Sequence, residues 1–182
     1  MQQIANDQSW RKKVKENEGY IKNISMSLNQ LNILLADDDI DDCVFFKQAV
    51  EELLSPKNFR AVHDGEQLMR YLTNETNKQP HVLFLDLNMP RKNGFECLSE
   101  IKSNEKLKQL PVVIYSTSFE QEMVSQLYQH GAQYFIRKPS EFTQFKNIIQ
   151  QTLTLMSTTL PSENNGLITQ PKEENFVIIL EK

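Results

Sequence analysis

Two cysteines in 182 residues leave no material for a disulfide framework or a thiolate metal centre. Cys43 and Cys97 fall in separate helix-like segments without metal-ligand or redox spacing, and read as buried thiols. Long apolar runs are missing as well. No stretch approaches the roughly 18 to 20 residues that a spanning helix needs, so no membrane span is expected. The opening residues, Met1 to Asp7, lack the apolar core of a secretory signal, which predicts a cytoplasmic protein. No internal repeat or sizeable low-complexity block is found. Nor is there an excess of positive charge: the formal net charge is −4. Residues 1–25 hold five Lys and Arg against three Asp and Glu, so the body that follows is more acidic still, which argues against a nucleic-acid partner. What is present, 39% hydrophobic and 24% charged residues, is the balance of a globular chain with a core.

Residues 1–30 are rich in Asn, Gln, Lys and Ser and read as a flexible extension outside the core. From residue 31 to 156 the pattern alternates. Strands are expected near 32–36, 59–62, 81–86, 111–115 and 133–136, and helices near 40–54, 65–73, 95–103, 119–130 and 140–156. Strands that alternate with helices predict an α/β fold around a parallel sheet. The first helix is expected to turn Val44, Phe45, Ala49 and Leu53 to one side, and Gly131 to close the fourth helix. Phe45, Phe46, Phe84, Phe95, Phe142 and Phe145 are assigned to the core or to sheet-covering positions. Residues 157–182 have a linker composition that ends in an apolar run, Phe176 to Leu180, which reads as an added edge strand or a docking peptide.

The chemistry sits at the strand ends. The run from Val82 to Leu85 closes on Asp86, and the run from Ile33 to Ala36 closes on Asp37, Asp38 and Asp39. Two later runs close on Ser116, Thr117 and Ser118, and on Lys138 and Pro139. In an open parallel sheet these carboxyl ends line one crevice, so the polar groups converge. Asp37, Asp38 and Asp86 would repel one another there unless a hard cation such as Mg²⁺ relieved the repulsion. Together they predict a magnesium-dependent phosphoryl site, with Asp86 as nucleophile, Ser116 as a hydrogen-bond donor to phosphoryl oxygen and Lys138 neutralising developing charge. Asp39, Asp41 and Asp42 are assigned first to capping of the following helix, and only second to the electrostatics of the site. His63, His81 and His130 are scattered and read as structural or exposed.

These residues in this order resemble the receiver domain of two-component response regulators (the CheY-like superfamily), over about residues 31–156. The resemblance rests on the acidic pair Asp37 and Asp38, on Asp86 within the segment running to Gly94, on Ser116, and on Lys138 with Pro139. It implies a flavodoxin-like, doubly wound (βα)5 three-layer sandwich with sheet order 2-1-3-4-5. It implies further that the Asn88 backbone carbonyl joins Asp37, Asp38 and Asp86 as a ligand of Mg²⁺, and that Phe135 moves with Ser116 as a switch. The chain is similar to the single-domain, phytochrome-associated branch, by its long segment between Gly65 and the third strand and by its lack of an output domain. The implied activity is that of a stand-alone phosphorylatable switch rather than a conventional enzyme. It would take its phosphoryl group from a sensor histidine kinase, of phytochrome type, or from a phosphotransfer protein. A downstream protein target would read the result, and a homodimer could form through the face made by the fourth helix, fifth strand and fifth helix (α4-β5-α5). Thr117 stands where many receivers have Ala, and would narrow access to the phosphoryl group. Two rivals stay open: a haloacid-dehalogenase-like enzyme, against which Asn88 stands where such enzymes carry a second Asp, and a receiver fold that binds partners without phosphate.

Overall fold

The computed structural model describes residues 31–53, 59–159 and 170–178. The expected extension over residues 1–30, most of the linker and the last residues of the tail lie outside these. Five apolar runs become strands: β1 (Ile33–Ala36), β2 (Phe59–Val62), β3 (Val82–Leu85), β4 (Val112–Ser116) and β5 (Tyr134–Arg137). Between and after them run α1 (Ile40–Leu53), α2 (Gly65–Thr73), α3 (Gly94–Ser103), α4 (Gln121–Gln129) and α5 (Phe142–Thr159). The residues of β1, β3 and β4 are buried throughout, as strands covered on both faces must be.

All pairings are parallel, and the order is β2-β1-β3-β4-β5-β6, where β6 is Val177–Ile178. Side chains alternate between two apolar layers. Leu34, Leu83, Leu85, Ile114 and Phe135 pack toward α2, α3 and α4, through Leu68, Leu98 and Leu127. Leu35, Phe84, Val113, Tyr115 and Ile136 pack toward α1 and α5, through Phe46, Ile149 and Leu153. The result is the flavodoxin-like three-layer sandwich, with one further strand.

That strand comes from the apolar tail run, of which Ile179 and Leu180 lie outside the described residues. Val177 lies opposite Phe135 and Ile178 opposite Ile136. The Phe135 amide donates to the Phe176 carbonyl at 3.0 Å, and the Phe176 ring is buried edge-on against Tyr128. Tyr128 in turn donates its hydroxyl to the Pro171 carbonyl, and Gln170 donates its amide to the carbonyls of Tyr128 and Ala132. The α4-β5-α5 face therefore includes β6, which is bonded along the edge of β5.

The face of α1 needs a correction as well. Cys43, Phe46, Ala49 and Val50 are buried, whereas Val44 and Phe45 are 55% and 46% exposed. Adjacent Phe45 and Phe46 permit two apolar stripes about one residue out of phase, and the sheet selects the one that points Phe46 at Phe84 and Tyr115. Of the other rings assigned to the core, Phe84 and Phe145 are buried, and Phe95 and Phe142 are partly so. Gly131 closes α4 as expected: its φ of 84° lies in the left-handed region, and its amide donates to the Tyr128 carbonyl.

Candidate functional site

Backbone ladder bonds carry the strand ends to one place. The Asp37 amide donates to the Val62 carbonyl, the Asp86 amide to the Ala36 carbonyl, and the Lys138 amide to the Ser116 carbonyl. These bonds tie β1 to β2, β3 to β1 and β5 to β4 where β1, β3, β4 and β5 release their polar residues. One carboxylate oxygen from each of Asp37, Asp38 and Asp86 lies within 4.8 Å of the others. Asp37 and Asp86 are buried and Asp38 is exposed, so the group opens to solvent on one side.

Lys138 enters from the opposite side with its side chain 7% exposed. Its Nζ donates to Asp37 Oδ2 and to Asp42 Oδ2, each at 2.7 Å, and stands 3.6 Å from Asp86 Oδ1. The ammonium also lies 5.0 Å from the centre of the Tyr115 ring, a cation–π contact. Burial pushes the Asp37 carboxyl up to about 6 from the ordinary 3.8, against the pull of Lys138. Burial likewise raises Asp86, opposed by Lys138 and by hydrogen bonds from backbone amides. For Lys138, burial works against the charge, yet its bonds to Asp37 and Asp42 hold the ammonium above the ordinary lysine range. Asp37 and Asp86 are therefore costly to ionise without a cation, and the single lysine does not offset both. Three carboxylates at this spacing suit a hard, oxygen-seeking divalent ion.

The loop after β3 is held from several directions. The Asn88 amide donates to Asp86 Oδ2 at 3.0 Å, which leaves Oδ1 on the side of Lys138. Arg91 adopts φ 66°, a left-handed conformation that costs a non-glycine residue about 1–2 kcal/mol. Its guanidinium pairs at 2.9 Å with Asp64, a buried carboxylate that also caps α2 through the Gln67 amide. Asn93 and Glu96 then form a reciprocal capping box that starts α3. Gly94 is required here, since a Cβ would collide with the carbonyl oxygen of Asp86 itself.

Ser116 is buried, and its hydroxyl accepts from the Ser118 amide at 3.4 Å. Ser118 also receives the Asn88 side-chain amide at 3.5 Å, so the loops after β3 and β4 meet. Phe135 is fully buried with its ring turned into the core, and Phe119, 42% exposed, rests edge-on against it. All the residues expected at the site are therefore at the carboxyl end of the sheet, with Phe135 one layer behind.

Of the acids assigned first to capping of α1 and second to the site, Asp39 does the capping: its Oδ1 accepts the amides of Asp41 and Asp42, and Asp42 is left to pair with Lys138. The Asp64–Arg91 pair and the Phe119 ring were unassigned, and His63 was read only as structural or exposed. His63 Nδ1 lies 3.1 Å from the Asp37 carbonyl, beside the Cys43 thiol. Three acids crowding one helical turn was the available signal for Asp42, because one cap suffices.

Residues 33–150 match the profile of the response regulator receiver domain. The chain belongs to the response regulator receiver family. The response regulator Rcp1 of Synechocystis sp. is 29% identical over 136 residues, which cover 71% of this receiver and 92% of Rcp1. Among solved structures, the phosphorylated cyanobacterial phytochrome response regulator RcpA is 32% identical with a TM-score of 0.66, over 72% of this chain and 99% of that one. The Mn²⁺-bound form of Rcp1 is 26% identical with a TM-score of 0.63, over 71% and 96%. Like its relatives, this receiver is a signalling module; among its described residues no helix is long and apolar enough to cross a membrane.

Proposed function

We propose that this receiver is a response regulator whose Asp86 accepts a phosphoryl group from a phosphohistidine. The observation that carries the reading is the position of Asp86: a buried carboxylate at the end of a central strand, one oxygen held by the Asn88 amide and the other facing Lys138. The donor is a sensor histidine kinase or a phosphotransfer protein. Likeness to RcpA supports a phytochrome-type kinase.

Asp37, Asp38, Asp86 and the Asn88 carbonyl would hold Mg²⁺, which supplies charge neutralisation for the crowded oxygens. Asp86 attacks phosphorus in line as the bond to the donor imidazole breaks. Lys138 then donates to a phosphoryl oxygen, and Ser116 turns its hydroxyl to another. Ser116 cannot move alone, because Ser118 and Phe119 follow it in the same loop and Phe119 leans on Phe135. The Ser116 movement is passed to the α4 side of the sheet, where a protein target, or a second copy docking on α4, β6 and α5, reads it. Water later hydrolyses the acyl phosphate. An apolar patch at the start of α1, Ile40 at 59% exposure with Val44 and Phe45, gives the donor a surface beside Asp38.

The test is intact-mass and Phos-tag analysis after incubation with acetyl phosphate, with and without Mg²⁺, of the native chain and of Asp86→Asn. Uptake of one phosphoryl group that needs Mg²⁺ and is lost in the variant is expected. Uptake by Asp86→Asn at the native rate would reject Asp86 as the acceptor. If neither acetyl phosphate nor a histidine kinase charged the native chain, a phosphate-independent binding module would replace this reading.

A further inference from the structure

The ammonium of Lys138 carries three protons and meets three carboxylates at unequal distances. Two are within hydrogen-bond reach, Asp37 and Asp42 at 2.7 Å, and the third, Asp86 at 3.6 Å, is beyond it. The residue that makes this inequality is Asp42. It stands in the first turn of α1, does no capping, and reaches across to a lysine 96 positions away in the chain. Its side chain is 30% exposed, against 7% for Lys138 and 6% for Asp86, so the ammonium is bonded to an acid nearer to solvent than Asp86 is.

We propose that Asp42 is a positioning residue that tethers Lys138 short of Asp86, keeping the ammonium beyond hydrogen-bond reach of Asp86 Oδ1 so that this oxygen is free to attack. This rests on Asp86 being the phosphoryl acceptor. A carboxylate oxygen engaged by an ammonium is a weaker nucleophile, because its lone pair is already donated into a charge-assisted hydrogen bond. A lysine too far away could not reach the phosphoryl group once it arrived. The tether meets both needs. Lys138 remains poised beside Asp86 but is spent on Asp37 and Asp42 until a phosphoryl oxygen offers it a stronger partner. The demand on Asp42 is greatest when a cation draws the Asp37 carboxylate away, since Asp42 is then the remaining restraint.

The proposal runs against the simple field effect. Removing a negative charge near an arriving phosphate dianion should ease its approach and speed uptake. Through Lys138 the sign is opposite. Without Asp42 the ammonium closes on Asp86, so uptake slows, while the acyl phosphate, once made, keeps the lysine more fully and lives longer.

The experiment follows phosphoryl uptake from acetyl phosphate in Mg²⁺, and loss after donor removal, for the native chain, Asp42→Asn, Asp42→Glu, Lys138→Ala and Asp42→Asn with Lys138→Ala. Asp42→Asn should slow uptake on the order of tenfold, the scale of one charge-assisted hydrogen bond, and lengthen the phosphorylated lifetime. Asp42→Glu, which keeps the charge and can follow the flexible lysine, should restore both toward native values. In the Lys138→Ala background the slowing should vanish. Should Lys138→Ala take up no phosphate, the contrast between Asp42→Asn and Asp42→Glu decides, with equal urea midpoints for the two showing that folding is intact. Native or faster uptake by Asp42→Asn overturns the tether alone, as does an equal slowing in the Lys138→Ala background. A native chain that no donor charges overturns the tether and the proposed function together.

Discussion

The carboxyl end of the sheet and its β5–β6 border share strand β5, yet they are built on opposite energetic principles. At the carboxyl end, Asp37 and Asp86 are buried with their carboxyls pushed up by desolvation, Arg91 sits in a left-handed conformation, and one lysine is divided among three acids. At the edge, Phe176 is buried against Tyr128, and the backbone of β5 is satisfied by β6. The first region gives up stability by crowding carboxylates, two of them buried, around one lysine; the second supplies stability through apolar burial and ladder bonds. A chain of modest size can carry the first because it has the second.

The comparison can be broken most severely at the edge. Phe176→Ala removes a buried ring and leaves a cavity under Tyr128, and should cost about 3–5 kcal/mol in urea unfolding. A loss well under about 1 kcal/mol would mean that β6 is not a stabilising strand. At the carboxyl end the sign should reverse. Asp37→Asn takes one charge from an over-acidic cluster and leaves Lys138 paired with Asp42 and Asp86, so the metal-free protein should gain about 1 kcal/mol while losing affinity for divalent ions. A metal-free Asp37→Asn chain less stable than native would show that the lysine pair outweighs the repulsion.

A further effect is the pH dependence of the metal-free protein. Asp37 binds its proton more tightly folded, at about 6, than at its ordinary value of 3.8. Its contribution to stability is therefore fully present below 3.8 and is lost as pH rises through about 6. Urea midpoints measured across that window without divalent ions should fall with pH, and Asp37→Asn should flatten the fall. An unchanged slope in the variant would assign the titration elsewhere.

Much of this was readable from residues alone because the central strands are buried on both faces, so each is a short continuous apolar run ending in a polar residue. Asp37, Asp86, Ser116 and Lys138 could be found by that punctuation. What escaped depended on pairings over long separations. Nothing local distinguishes Asp42, which meets Lys138, from Asp39, which caps the helix; both are acids in one turn. Similarly, the choice between Phe45 and Phe46 as the inward ring is made by Phe84 and Tyr115 on neighbouring strands. Arg91 in a left-handed conformation leaves no mark in sequence, since glycine or asparagine is the usual occupant.

Parallel sheets end in strands whose outer amides and carbonyls invite any passing extended chain to join them, and that invitation is a route to aggregation. Here β5 would be the exposed end, with Tyr134, Phe135 and Ile136 as its apolar sequence. By laying Val177 and Ile178 along it, the chain hands the role of outermost strand to a described segment only two residues long. The opposite border, β2, carries the exposed charge of Arg60. Among the described residues, copies of this protein thus meet one another across a sheet bordered by a two-residue strand on one side and by an exposed charge on the other.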